Sequence, residues 1–176
     1  LYEYIHGFGF GQAPGSGLPG EAAGILLPVK SVGPVEHANI SFGQGIAVTP
    51  LQMIGMVGAI ANGGLLMKPQ IIREIKDADG AVVQPFTPQM VRQVVSPETA
   101  HKLAGLLEQV IADGTGRGAQ IPGYRLAGKT GTAQKIVDGR YVSDKHVASF
   151  IGFGPVDNPR LSILVVVDEP QGAYYG

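Results

Sequence analysis

Two apolar runs, residues 147–153 and 161–167, are separated by little more than Gly154-Pro155-Val156-Asp157-Asn158-Pro159. Parallel neighbours need a crossover of about a dozen residues or more, usually a helix. A connection this short and this rich in turn residues can only reverse the chain. The two runs are therefore antiparallel neighbours, which the parallel sheet of a doubly wound fold does not contain. The second run, Leu161-Ser162-Ile163-Leu164-Val165-Val166-Val167, is apolar on both faces. That pattern predicts a covered strand in the middle of its sheet.

Upstream lies Leu126-Ala127-Gly128-Lys129-Thr130-Gly131-Thr132-Ala133-Gln134, where a cation, two hydroxyls and two glycines sit side by side. Read as a strand, successive residues alternate faces. Leu126, Gly128, Thr130 and Thr132 then share one side, and Ala127, Lys129, Gly131 and Ala133 the other. The hydroxyls and the ammonium are donors suited to a carboxylate. Glycines free space where a ligand's backbone can lie against the strand. Such a strand edge suits an anionic, peptide-like ligand. With the two apolar runs it predicts a three-stranded antiparallel meander over residues 125–135, 147–153 and 161–168, the Lys129 strand at its open edge.

A nucleotide-binding reading competes. Gly123-Tyr124-Arg125-Leu126-Ala127-Gly128-Lys129-Thr130 fits the P-loop pattern, and an apolar run ending in Asp168 resembles the strand that supplies a magnesium-holding acid. A P-loop, however, requires a helix to begin at the Lys-Thr pair, because its amides cradle the phosphates. Gly131-Thr132-Ala133 and the turn signal Asp138-Gly139 leave no room for one. The alternative thus rests on Lys129, Thr130 and Asp168 and requires Thr130 at a helix N-terminus.

At 176 residues the chain is long enough for one domain with a core. A net charge of −1 provides no electrostatic footprint for nucleic acid. The absence of cysteine excludes disulfides, thiol nucleophiles and zinc-thiolate sites. No apolar run approaches the ~20 residues of a membrane span, and no basic, cleavable leader opens the chain.

In chain order, Leu1-Tyr2-Glu3-Tyr4-Ile5 begins as though mid-helix. Gly- and Pro-rich loops follow, and residues 21–48 read as irregular, with a tight turn or site-lining loop around Gln44. Thr49 caps a helix with Pro50 in its first turn, and Asn62-Gly63-Gly64 stops it. Leu51, Ile54, Val57 and Ile60 form its apolar stripe, with Met53 and Met56 as core filler. Asp77-Ala78-Asp79-Gly80 reads as the turn of a surface hairpin rather than a calcium loop. Ser96-Pro97 starts a second helix whose buried face is Leu103, Leu106, Leu107, Val110 and Ile111. Asp113-Gly114-Thr115-Gly116-Arg117-Gly118 reads as a flexible connection. The fold class expected is α+β, an antiparallel sheet covered by helices, and both ends read as cut from a larger domain.

Other chemistry is thin. His6, His37, His101 and His146 have no metal-ligand spacing, and there is no nucleophile-elbow motif. As a paired-carboxylate site Asp168 and Glu169, adjacent on a strand, would face opposite ways; a strand-end turn before Pro170 is the better reading.

Lys129-Thr130-Gly131-Thr132 resembles the Lys-Thr-Gly motif of penicillin-binding proteins and serine β-lactamases. The flanks extend the likeness: Ile40-Ser41-Phe42-Gly43-Gln44-Gly45-Ile46-Ala47-Val48-Thr49-Pro50-Leu51-Gln52, then Asp113-Gly114-Thr115-Gly116, Ala133-Gln134 and Tyr174-Tyr175-Gly176. Together they look like a class B penicillin-binding protein of the division or sporulation type. The resemblance implies a serine β-lactamase/penicillin-binding-protein transpeptidase fold and a peptidoglycan D,D-transpeptidase working through a serine acyl-enzyme. It implies that Lys129, Thr130, Gly131 and Thr132 bind the stem peptide or a β-lactam, and that the Thr132 backbone amide is an oxyanion donor. Serine is followed nowhere here by lysine three positions on, or by asparagine two on. By resemblance, residues 1–176 are then a single partial domain, the C-terminal portion of a transpeptidase domain. Its nucleophile motif (S-x-x-K), its S-x-N motif and its closing helix lie outside this chain. The partners implied are peptidoglycan stem peptides, β-lactams and the remainder of its own domain, with no nucleic acid, no cofactor and no metal. The location implied is the extracytoplasmic face of the bacterial membrane, held by an N-terminal anchor not in this chain.

Overall fold

The computed structural model describes residues 1–138 and 140–172, with Ser143 described by its backbone alone. Gly139 of the expected turn and Tyr174-Tyr175-Gly176 of the family signature lie outside the described residues. The helices are α1 (Tyr2–Gly7), α2 (Pro34–Ser41), α3 (Pro50–Ala61) and α4 (Pro97–Asp113). Four short strands, β1 (Leu65–Met67), β2 (Glu74–Lys76), β3 (Val82–Pro85) and β4 (Met90–Gln93), lie between α3 and α4. Three long strands follow: β5 (Ala127–Val137), β6 (Arg140–Gly154) and β7 (Leu161–Asp168).

The two longer helices begin where their caps dictate. The Thr49 hydroxyl accepts from the Gln52 amide at 3.2 Å, and the Gln52 side chain returns a bond to the Thr49 amide at 2.8 Å. The Ser96 hydroxyl accepts from the Thr99 amide at 3.1 Å. Each spares a backbone donor that the first helical turn leaves unpaired.

The long strands form an antiparallel sheet in the order β5-β6-β7, the expected meander in an α+β fold. The hairpin of β2 and β3 turns at Asp77, whose Oδ1 accepts from the Asp79 and Ala81 amides at 3.0 and 2.9 Å. One face of the large sheet carries the core, where Ala127, Ile151 and Phe153 pack with Val57 of α3 and Ala104 of α4. Met53, Ile60, Leu107 and Leu164 surround that cluster.

Four expectations are corrected. Residues 21–48 are not irregular throughout: α2 starts at Pro34, and the Gly33 amide donates to Glu36 Oε2 at 3.0 Å. That is a capping arrangement without the usual hydroxyl residue, so it left little signal. On α4, Leu106 is 65% exposed, and the smaller Ala100 and Ala104 are buried with Ile111. Close approach to the sheet selects small side chains there. The connection 113–118 is not slack: the amides of Gly114 and Gly116 both bond to Val110 O, at 3.1 and 3.0 Å. Finally, among the described residues β7 is the end strand of its sheet and not a central one. Leu164 packs toward the core, whereas Ile163, Val165 and Val167 are about half exposed, at 56, 52 and 46%. Its second apolar face is uncovered among the described residues.

Gln52, which the apolar stripe did not flag, is 4% exposed. Its Nε2 donates to the carbonyls of Gln12 and Ala23, each at 2.9 Å, and so latches the loops before α3 onto the helix. Replacing it removes two partly buried bonds, each contributing roughly 0.5–1.5 kcal/mol, and leaves their carbonyls to solvent. In the full-length protein, Gln52→Leu is expected to lower unfolding stability by about 2–3 kcal/mol, read from the denaturant midpoint; an unchanged midpoint would remove the latch from the account.

Candidate active site

Among the described residues β5 has a partner on one side only, so Lys129, Thr130, Gly131 and Thr132 lie on an edge strand, paired with Ile151, Phe150, Ser149 and Ala148. The strand enters this stretch from a fixed point. Ala127 is completely buried. A Cβ at Gly128 would stand 2.8 Å from Ile151 O and the Phe150 ring, and 3.2 Å from Ile111 Cδ1. Only glycine permits that approach of α4, β5 and β6. Just before it, Arg125 grips Glu108 of α4 through two parallel bonds of 2.7 and 2.8 Å. That pairing holds the Glu108 carboxyl below its ordinary range and raises Arg125.

Beyond that point the side chains open out. Lys129 is exposed and its Nζ donates to Thr130 O at 2.9 Å. Thr130 and Thr132 are half-buried. The Thr130 hydroxyl lies 2.9 Å from the hydroxyl of Thr115, which the loop after α4 presents to it. The empty place at Gly131 is taken by its own neighbour: a Cβ there would stand 2.6 Å from Ser149 Oγ. Gly131, Thr132 and Ala133 also border a cavity of about 670 Å³, lined by Phe10, Ile40, Met53, Met56 and Leu164 among others. Gly43 and Gln44 line it too, so the turn around Gln44 does face this site.

Sequence reasoning singled out the strand and missed Thr115 and Ser149. The available signal for Thr115 was a threonine held between two glycines just upstream of the strand. Spacing alone does not reveal that the loop folds back onto it.

The nucleotide reading fails on its own condition. Thr130 sits inside a strand rather than at a helix N-terminus. Asp168 pairs with Val147, four positions along β6 from Ile151, the partner of Lys129. That separates the two by roughly 13 Å at strand rise. Asp168 is also engaged elsewhere. Lys135 Nζ bonds both its oxygens, at 3.0 and 3.1 Å, and Glu169 Oε1 at 2.9 Å. The strand ends at Asp168, as a strand-end turn before Pro170 requires, and so the two carboxylates do not face apart. Glu169 has left the strand conformation, with φ at +49°, which swings its carboxylate to the same side.

Lys135 holds the Glu169 carboxyl below its ordinary 4.5 and is itself raised above 10.5 by Glu169 and Asp168. Glu169, depressed on folding, contributes stability above pH 4.5 and loses it as pH falls through its lower folded value. Lys135, raised on folding, contributes below pH 10.5 and loses it as pH climbs through its higher folded value. The tie is therefore whole at neutral pH. Carboxyl-detected NMR titration of the full-length protein is expected to find Glu169 below 4.5, returning toward it in Lys135→Met. An unchanged Glu169 midpoint in that variant would show the pairing to be absent in solution.

The family described as the penicillin binding protein transpeptidase domain matches residues 1–176. Stage V sporulation protein D of Bacillus subtilis is 49% identical over 173 residues, covering 98% of this chain and 27% of the relative. The probable peptidoglycan D,D-transpeptidase PenA of Neisseria gonorrhoeae is 35% identical over 178 residues, covering all of this chain and 29% of its own length. The chain thus spans little more than a quarter of the length of each of these two relatives. The crystal structure of penicillin binding protein 3 from Mycobacterium tuberculosis superposes with a TM-score of 0.90 at 40% identity, over 96% of this chain and 40% of that one. The same protein complexed with ampicillin superposes at 0.89 and 40% identity, over 95% of this chain and 39% of that one.

Proposed function

The chain belongs to the penicillin-binding-protein transpeptidase family, and from that membership we infer that its protein is a peptidoglycan D,D-transpeptidase to which residues 1–176 contribute the substrate-binding strand. The observation that carries this reading is the open edge of β5, where the exposed ammonium of Lys129 and the hydroxyls of Thr130 and Thr132 follow directly on a buried anchor, and Gly131 and Thr132 border an apolar cavity. The likeness to a protein solved with ampicillin supports β-lactams as ligands.

In this reading a serine outside these residues attacks the penultimate D-Ala carbonyl of a stem peptide. The terminal D-Ala leaves as its amine, taking a proton, and an ester acyl-enzyme remains. The amine of a second stem peptide then attacks the ester, forming the cross-link and restoring the serine. Thr130, Thr132 and Lys129 bind the terminal carboxylate, or that of a β-lactam. The Thr132 amide supplies one oxyanion donor, a contact whose loss costs on the order of a hundredfold or more in rate. Gly131 lets the extended ligand lie along the strand edge, and the Ser149 hydroxyl fills the space behind it. The cavity beside Thr132 and the bare face of β7 receive other parts of the same domain, among them the segment bearing the nucleophile. Among the described residues no helix is long and apolar enough to cross a membrane. Action on the extracytoplasmic face relies on an anchor elsewhere in the protein.

Two measurements test the reading. In the full-length protein, Lys129→Ala is expected to slow benzylpenicillin acylation by a hundredfold or so, with the melting temperature nearly unchanged, as for loss of a group acting on developing charge. A rate within a few-fold of wild type would refute the role of Lys129. Intact-protein mass spectrometry with benzylpenicillin is expected to show a stoichiometric adduct on the full-length protein and none on residues 1–176 alone. An adduct on the shorter chain would place a nucleophile within it and overturn the division of labour.

A further inference from the structure

We propose that Thr115 is a positioning residue for the carboxylate site, donating its hydroxyl proton to Thr130 Oγ1 so that the Thr130 proton points at the bound ligand; the proposal rests on the transpeptidase reading above. The two hydroxyl oxygens are 2.9 Å apart, close enough for a hydrogen bond that either can donate. A threonine hydroxyl carries one proton and two acceptor lone pairs. An anion at Thr130 resolves the ambiguity. Thr130 must give its only proton to the carboxylate, so between the two threonines it can only accept, and Thr115 becomes the donor. With Thr115 as donor, the Thr130 hydroxyl is held in the orientation that the bound carboxylate needs. Each bond also polarises the next, which strengthens the contact with the anion.

The loop that carries Thr115 is built to hold it still. Its flanking amides, from Gly114 and Gly116, converge on the single carbonyl of Val110 at the end of α4. A Cβ at Gly114 would stand 2.7 Å from that oxygen, and one at Gly116 3.2 Å from Ile111 Cγ1. The next two carbonyls of the helix, of Ile111 and Ala112, accept from Gln120 Nε2 at 2.8 and 2.9 Å. The helix end is therefore capped by the segment that follows the loop, and Ile111 in turn abuts Gly128 on β5. Thr115 and Thr130 are thus referred to one packed junction, although Thr115 itself is exposed. A surface threonine with no task does not require four bonds and two glycines to fix its loop.

The test is acylation of the full-length protein by benzylpenicillin, with the dissociation constant of the first complex and the acylation rate constant measured separately. The variants are Thr115→Val, Thr115→Ala, Thr115→Ser, Thr130→Val and the double variant Thr115→Val with Thr130→Val. Loss of a hydrogen bond that orients a charged contact is expected to lower the ratio of rate to dissociation constant about fivefold to tenfold in the valine and alanine variants. Thr115→Ser is expected within about twofold of wild type, and the double variant no worse than Thr130→Val alone, as required of two groups acting in series. Should Thr115→Val melt well below wild type, Thr115→Ala against Thr115→Ser decides. Equal losses in serine and alanine, or losses additive with Thr130→Val, would mean that the loop matters only as structure and would overturn the proposal. So would a Thr115→Val enzyme indistinguishable from wild type while Thr130→Val is impaired. If Thr130→Val is also unimpaired, the carboxylate reading itself fails, a result distinct from either.

Discussion

The site depends on how tightly β5 is held just before it becomes functional. Ala127 has no exposed surface, Gly128 has room for no side chain, and Lys129 is already in solvent. Within two residues the strand passes from a completely buried alanine to an open edge. The crowding comes from both sides, with α4 contributing Ala104 and Ile111 and β6 contributing Phe150, Ile151 and Phe153. The Arg125–Glu108 pair secures the approach. Groups that must meet a ligand at fixed distances are best mounted where the backbone has least freedom. Here the least free residues immediately precede them.

The far end of the strand is held by charge instead of packing. Lys135 reaches over β6 to Asp168 and Glu169, so both outer strands of the sheet are joined at their ends by one ammonium. Such a pair in solvent contributes little to global stability. Its local effect differs, because Glu169 holds a conformation that a glutamate ordinarily avoids, and its amide bonds to His146 O at 3.0 Å. The resulting strand is clamped at both ends and open between them.

Much of this was legible in the sequence because it depends on local rules. The connection 154–160 is too short for a crossover, and that alone settled the strand directions. Thr49-Pro50 and Ser96-Pro97 announced the helices through hydroxyl caps. What escaped was set by tertiary contact. Gln52 is polar and buried because two loop carbonyls converge on it, a fact absent from the helix's own periodicity. The α4 face turned on Ala100 and Ala104, since proximity to the sheet favoured small residues over large ones. Apolar residues on both faces of β7 reported what the strand can bury, not where it stands. Thr115 read as part of a slack link because glycine signals freedom in a sequence, while in the fold the same residues permit tight contact.

The fit between Gly131 and Ser149 also has a historical side. The two residues face each other across β5 and β6, and the serine oxygen occupies the volume that any side chain at 131 would need. A side chain at 131 therefore forces the Ser149 hydroxyl into another rotamer. Glycine codons reach alanine, valine or serine in single steps, and each such step moves the neighbour's hydroxyl as well as adding bulk. The two positions are coupled, so the strand's backbone opening is shaped in part by a residue on the strand beside it.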